Sequence, residues 1–178
     1  MSDSNWVVDP SHSYIEYAIS INGKAPFRVY FRRMAGMASI SEQFENSQLT
    51  LQWVLDSLDT GDKGLDKFLA STDFFSTDKV STTKFISSGI SKLSETQFAV
   101  KGTIHHGEKS EEVSFNSRFD GNFVEVGDGK RKTGLYMATQ VYPKMFSINN
   151  REISFDKSIG IEVELMLVEK VASPQESL

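Results

Sequence analysis

Apolar and polar residues alternate one by one through most of this chain, the pattern imposed by a β-strand with one buried face. The cleanest case lies near the C-terminal end, where Ile159, Ile161, Val163, Leu165 and Leu167 alternate with Gly160, Glu162, Glu164 and Met166. The same period runs through Ile15, Tyr17, Ile19 and Ile21, and through Phe27, Val29 and Phe31. It returns in Leu49, Leu51, Trp53 and Leu55, and in Leu135, Met137, Thr139 and Val141. Asn22 to Pro26 predicts a turn, and Pro143 stops the strand that precedes it. Phe98, Val100 and Ile104, a turn at Gly107, then Val113, Phe115 and Phe119 predict a hairpin. Met34 to Phe44 is strand-like, with Gly36 expected to mark a bend or bulge. Two stretches are less regular. Thr82 to Leu93 predicts a strand whose inner face Phe85-Ile86 and Gly89-Ile90 leave open, and Asp120 to Thr133, rich in Gly, Asp and Lys, predicts an exposed loop.

One stretch breaks the period of two. Asp62 is placed to cap a short helix in which Leu65, Phe68 and Leu69 fall at i, i+3 and i+4, and Phe74 and Phe75 follow at once. Two helical turns do not hold themselves up in water, so this segment needs a larger apolar surface to lie across. Counting the runs gives about eight antiparallel strands and one helical segment, with no βαβ alternation, which fits a sandwich or a closed barrel. The open end of a barrel supplies the surface the helix needs. The expected fold is therefore all-β: an antiparallel barrel of about eight strands with a short helical segment covering one end. A barrel of that size is just wide enough either to be filled by its own side chains or to hold one small ligand, and the pattern does not choose between them. One domain is expected over residues 5–171, followed by a polar, fraying tail over 172–178.

Composition narrows the chemistry. A net charge of −5 disfavours electrostatic binding to nucleic acid or to anionic lipid surfaces, both of which need clustered Lys and Arg. With no cysteine, thiol nucleophiles, disulfides and thiolate metal sites are excluded. No apolar run approaches the length of a membrane span, and no signal peptide is visible ahead of Trp6, so the expected compartment is the cytoplasm, or the periplasm for a mature form carrying a new Met.

The candidate catalytic groups do not assemble into a mechanism. His12 sits between Ser11 and Ser13, but no Gly-x-Ser-x-Gly elbow accompanies it, and it is read as a structural hydrogen-bonding residue. His105 and His106 are adjacent, so on a strand they point to opposite faces and are read as structural or surface residues, not a metal pair. Asp59, Asp62, Asp66 and Asp73 crowd the helical stretch, where capping and turn duty explain them. Lys130-Arg131-Lys132 is read as a solvated charge run. No catalytic residue and no metal site is expected. The feature with functional promise is the apolar face, with thirteen Phe beside Trp53 and several Tyr.

The chain resembles the YceI family of lipocalin-like, polyisoprenoid-binding barrels. Trp6-Val-Val-Asp9-Pro10-Ser-His12-Ser13 resembles the family's opening, and Ser57-Leu-Asp-Thr60-Gly with Asp66, Leu69, Asp73-Phe74-Phe75, Phe85 and Ser87 or Ser88 resembles its central signature. Gly102-Thr-Ile and Ser114-Phe resemble its later hairpin more loosely, so the likeness spans nearly the whole chain, Asn5 to Lys170. Two departures stand out: Val80-Ser81 replaces a Tyr-Pro pair before the strand at Phe85, and Pro143-Lys-Met145-Phe146-Ser147 lacks an Arg the family commonly carries there. The resemblance implies a bacterial barrel that binds, sequesters or transports a long-tailed apolar or amphiphilic ligand: an isoprenoid quinone, a polyprenyl phosphate or a fatty-acid derivative. No further cofactor is expected. The inward positions Tyr17, Ile19, Phe31, Trp53, Leu55, Phe98, Val100, Phe115, Leu135, Met137, Ile161, Val163 and Leu165 are the expected lining. Leu65, Phe68, Phe74, Phe75 and Phe146 are expected to form a lid or mouth. A homodimer is compatible with the family. Two alternatives stand beside the carrier: a structural or stress-related interaction protein with a filled core, and an enzyme acting on a lipid-like substrate, which would require a polar, pKa-shifted group inside the barrel.

Overall fold

The computed structural model describes residues 3–20, 25–72, 74–125, 127–146 and 158–170. Twelve strands and one α-helix are found among them. The first six strands are halves of three long, bent ones. β1 (Ser4–Val8) and β2 (Tyr14–Ile19) flank a single 3-10 turn at Pro10–His12; β3 (Phe27–Phe31) runs into β4 (Met34–Ile40) through Arg32 and Arg33; β5 (Gln48–Val54) reaches β6 (Leu58–Asp59) through a 3-10 turn at Leu55–Ser57. β1 pairs with β4 while β2 pairs with β3, so each bend falls at the same level of the wall and the two halves act as one strand.

Helix α1 (Lys63–Ala70) follows, then β7 (Thr82–Lys92), β8 (Gln97–His106), β9 (Lys109–Arg118), a two-residue β10 (Val124–Glu125), β11 (Arg131–Val141) and β12 (Ile159–Glu169). Neighbours in space are mostly neighbours in sequence: β4 to β5, β5 to β7, β7 to β8, β8 to β9, β9 to β11 and β11 to β12, all antiparallel. β12 then pairs with β1 and β2 along its other edge, which closes the sheet into an eight-stranded barrel. Closure satisfies backbone groups that an open sheet would leave at its edges.

The alternation read from the sequence is the alternation of burial. Ile15, Tyr17, Ile19, Val29, Phe31, Leu51, Trp53, Met137, Ile161, Val163 and Leu165 are all buried in one core. The uncertain strand, β7, has a physical reason for its ambiguity. Its register against β8 shifts between Ser87 and Gly89, a bulge that moves the inward face from Thr83 and Phe85 to Ile90. Gly102 on β8 lies opposite Ser87, and a Cβ there would stand 2.2 Å from the Ile86 carbonyl oxygen and 2.6 Å from the Phe85 ring. The missing side chain makes room for Phe85.

Three expectations change. Gly36 does not bend its strand: β4 keeps unbroken register with β1 and β5, and the glycine is needed because a Cβ would meet Val8 Cγ2 at 2.7 Å and the Thr50 carbonyl at 2.9 Å. The bend sits at Arg32-Arg33. The expected loop over 120–133 holds the short hairpin partner β10, and β11 begins inside it at Arg131. Arg131 is accordingly no free charge: it makes a two-pronged contact to Glu169 at 2.7 and 2.9 Å and lies over the Trp6 and Phe123 rings. Ile21, the turn at 22–24, Asp73, Ser147 and the tail over 172–178 lie outside the described residues.

Candidate functional site

The helical lid is built from its polar residues outward. Asp62 caps α1 by accepting from the Gly64 and Leu65 amides at 2.9 and 3.2 Å, and Asp66 accepts from the Thr60 amide and hydroxyl at 2.8 and 2.6 Å. Asp59 accepts from the Gly61 amide, which, with Arg32, holds its carboxyl below the ordinary range. These three acids do the capping and turn work expected of them. The apolar side of the helix sinks into the barrel end: Leu69 is fully buried, Leu65 and Phe68 are half-buried, and the chain after the helix drives Phe74 and Phe75 into the core.

Beneath this lid the aromatic side chains meet. The Tyr17 ring lies 4.6 Å from Phe31, 5.3 Å from Phe146 and 5.9 Å from Phe75, centroid to centroid. Phe75 stands edge-on to Phe146 at 5.6 Å, and Phe74 edge-on to Phe75 at 4.8 Å. Near-perpendicular pairs at these distances suit the ring quadrupoles. Phe146 arrives on a 3-10 turn, Pro143–Phe146, so the mouth is covered from two sides of the sequence. The opposite end of the core carries a second cluster, with Phe44 stacked on Phe119 at 4.2 Å and edge-on to Phe98 at 4.8 Å. Phe85 and Phe115, 4.9 Å apart, flank β8 from either side, opposite Ile104 and Val100.

Buried polar groups lie at the lidded end. Trp53 Nε1 donates to the Tyr17 hydroxyl at 2.8 Å. Thr83 Oγ1 is 2.9 Å from His106 Nδ1. The His106 ring stands edge-on to Phe146 at 5.1 Å, and the residue is 2% exposed. Burial pushes the Tyr17 phenol up, against the hydrogen bond from Trp53. Burial likewise pushes the His106 imidazole down to about 4, with the charge of Lys109 adding to it, so at neutral pH the ring is uncharged. His106 Nε2 has no hydrogen-bond partner.

All thirteen expected lining positions are buried, and Phe74, Phe75 and Phe146 join them. They pack against one another. The apolar void that reaches this core, between Phe44, Leu49, Ile90, Val100, Leu135 and Leu167, has a volume of about 10 Å³, room for roughly one water. Leu55 is buried from a 3-10 turn and not from a strand. Sequence reasoning left Phe44, Phe85, Phe119 and Thr83 out of the expected lining, and read His106 as a structural or surface residue. The signal for His106 was present: Phe98, Val100, Gly102, Ile104 and His106 share one parity on β8, so the face that buries the first four buries the fifth. His105, of the other parity, is exposed, and among the described residues no group of three or more His and acidic side chains could hold a metal ion. His12 points outward, 2.8 Å from Asp9, and this bond holds the Asp9 carboxyl low. Ser13 tightens the same corner by donating to the Asp9 carbonyl at 2.7 Å.

Closed eight-stranded antiparallel wall, continuous apolar interior and short helical lid together define a small lidded β-barrel. The chain belongs to the YceI-like domain family, whose model matches residues 6–168. Among solved structures it is similar to BcnA of Burkholderia cenocepacia, at 16% identity and a TM-score of 0.76 over 89% of this chain and 98% of that one. It is similar to the YceI protein of Campylobacter jejuni, at 18% identity and a TM-score of 0.70 over 80% and 85% of the two chains. A polyisoprenoid-binding domain from Saccharophagus degradans, implicated in plant cell wall breakdown, superimposes with a TM-score of 0.66 at 11% identity, over 93% of this chain and 98% of that one. At these identities the likeness is one of fold. No curated protein matches the chain. Among the described residues no helix is long and apolar enough to cross a membrane.

Proposed function

We propose that this barrel binds and carries a molecule with a long apolar tail, an isoprenoid or other lipid with a small head group, held under the lid formed by α1, Phe74, Phe75 and Phe146. The observation that carries the reading is the way the lidded end is closed: not by strand pairing but by apolar side chains laid over an aromatic cluster. Such contacts are replaceable, because an apolar tail offers the cluster the same kind of surface that Phe75 and Phe146 offer. Burying a tail of about ten carbons gains on the order of 8 kcal/mol before association costs, enough for a useful complex with no ionic anchor. The relative from Saccharophagus degradans, described as polyisoprenoid-binding, supports the same reading. It is a reading of a binding protein: His12 faces solvent beside Asp9 and away from the core, and the buried Tyr17 and His106 are engaged by Trp53 and Thr83.

One observation favours a second reading. A void of only about 10 Å³ beside Phe44, Val100 and Leu135 favours a filled barrel, in which uptake of a tail requires the lid residues to move aside, and a protein that never opened would be an interaction domain without cargo. Native mass spectrometry of the purified protein, beside a solvent extract of the same sample, separates the two. A discrete adduct whose mass matches an extracted lipid is the expected result. A bare polypeptide mass that stays bare after incubation with isoprenoid quinones, polyprenyl phosphates and fatty acids refutes the carrier and leaves the filled-core reading.

A further inference from the structure

The buried polar groups at the lidded end leave one ring nitrogen, His106 Nε2, without a partner. An indole nitrogen only donates, so the Tyr17 oxygen accepts from Trp53. The Thr83 hydroxyl lies 2.9 Å from His106 Nδ1 and has one hydrogen to give it. With Nδ1 accepting that hydrogen, the ring's one proton resides on Nε2. That N–H is the free donor. Trp53, Tyr17 and Thr83 are completely buried and His106 is 2% exposed, so solvent does not satisfy it, and a buried donor without an acceptor is rare in folded proteins.

The surroundings restrict what the partner can be. The ring stands against Phe146, itself in contact with Tyr17 and Phe75 under the lid. Glu16 is the one charged residue buried among the described ones, and it is paired with Arg28, leaving no cation in the core to neutralise an anion. Lys109, the cross-strand partner of His106, is committed to the Lys144 carbonyl at 2.9 Å. An anionic head group would lie there uncompensated, at a severe cost in desolvation. A carbonyl or ether oxygen would not.

Resting on the carrier reading above, we propose that His106 Nε2–H is the polar anchor of the bound molecule, that it takes an uncharged oxygen acceptor such as a ketone or ester carbonyl, and that it selects against carboxylate and phosphate head groups. Thr83 is a positioning residue that fixes the donor tautomer.

The test uses the full chain with three probes of equal length: tridecanone with a terminal methyl ketone, tridecane and tridecanoate, titrated at pH 8 against a displaceable fluorescent probe. The expected result is binding of ketone about tenfold tighter than alkane, the worth of one buried hydrogen bond, with the carboxylate weakest. In His106→Phe, which keeps a flat ring of similar bulk, the ketone falls to the affinity of the alkane while alkane binding is unchanged. Equal affinities for ketone and alkane in the unsubstituted protein, or a ketone preference that survives in His106→Phe, overturn the anchor and leave the carrier standing. No binding of any probe overturns both. A second measurement needs no variant: long-range proton–nitrogen NMR of the His106 ring is expected to show the proton on Nε2, with its resonance moved by the ketone and not by the alkane. A proton on Nδ1 overturns the assignment.

Discussion

Acidification should weaken this barrel through one buried imidazole. An ordinary histidine takes up a proton near pH 6.5, whereas His106, enclosed between Thr83 and Phe146, does so only at about 4. Above pH 6.5 the ring is neutral in both folded and unfolded chains and contributes no pH dependence. Between pH 6.5 and 4 the unfolded chain binds a proton that the fold excludes, so the free energy of unfolding falls as pH falls, by about 1.4 kcal/mol per pH unit. Over the whole window the loss approaches about 3 kcal/mol, a large part of the stability of an ordinary domain. Urea unfolding followed by tryptophan fluorescence at pH 7.5, 6.0, 5.0 and 4.5 reads it. A loss of about 2 kcal/mol moves the urea midpoint by about 1 M at an unchanged slope. The comparison is with His106→Gln, which keeps an acceptor for Thr83 but does not titrate, so the difference between the two proteins removes His12, His105 and the carboxylates from the reading. The unsubstituted protein should lose stability faster than the variant as pH drops below 6.5, with the gap flat above it. Parallel curves from pH 7.5 to 4.5 would show that His106 titrates as a solvent-exposed imidazole and is not enclosed.

Three further outcomes are expected. Gly102→Ala forces a methyl group to within 2.2 Å of the Ile86 carbonyl and should cost about 3 kcal/mol or more in thermal or urea unfolding, whereas Gly89→Ala, with nothing within 4 Å of the new Cβ, should stay within about 0.5 kcal/mol; equal effects would place the close approach elsewhere. Tyr17→Phe leaves the Trp53 N–H without its acceptor and should destabilise by about 1–3 kcal/mol, while adding Trp53→Phe should cost less than the two changes measured separately; strict additivity would mean the two groups do not share a hydrogen bond. Asp62→Ala removes the acceptor for the Gly64 and Leu65 amides and should loosen α1 by about 1 kcal/mol, seen as faster hydrogen exchange within Lys63–Ala70 at unchanged exchange in β8 and β9; equal acceleration in both regions would show the lid and the wall to open as one unit.

The wall of this protein is legible because period two is a direct physical consequence of a sheet with one buried face. Ile159 to Leu167 could be placed inward from the sequence alone, and all five are buried. The lid was legible for a different reason: an Asp cap followed by Leu65, Phe68 and Leu69 has one apolar side and too little length to stand free. What the pattern could not carry were the exceptions. A bulge resets the parity of β7 at Ser87, and Gly36, which announces a bend to a reader of sequence, instead answers a close approach between three strands. His106 was hidden by its neighbour, since two adjacent histidines draw attention to each other while the strand separates them. Its value as a candidate site comes from Thr83, 23 positions away, and no local pattern records that contact. Whether the barrel is full or hollow was not written in the alternation either, because an inward Phe reads the same whether it fills a core or lines a cavity.

The seam between the first and last strands also governs when this wall can be finished. Around the barrel nearly every strand pairs with the next one in the chain, except that β12 returns to β1 and β2, with Trp6 opposite Glu169 and the Lys170 amide donating to the Asn5 carbonyl at 2.7 Å. Roughly 150 residues separate the two partners, so on a ribosome adding about 5–20 residues per second the first strand emerges some 8–30 s before the strand that completes it. Throughout that interval β1 and β2 offer an unpaired edge to any other extended chain nearby. The meander can assemble progressively, but its newest residues decide whether it becomes a barrel or a template for the wrong neighbour.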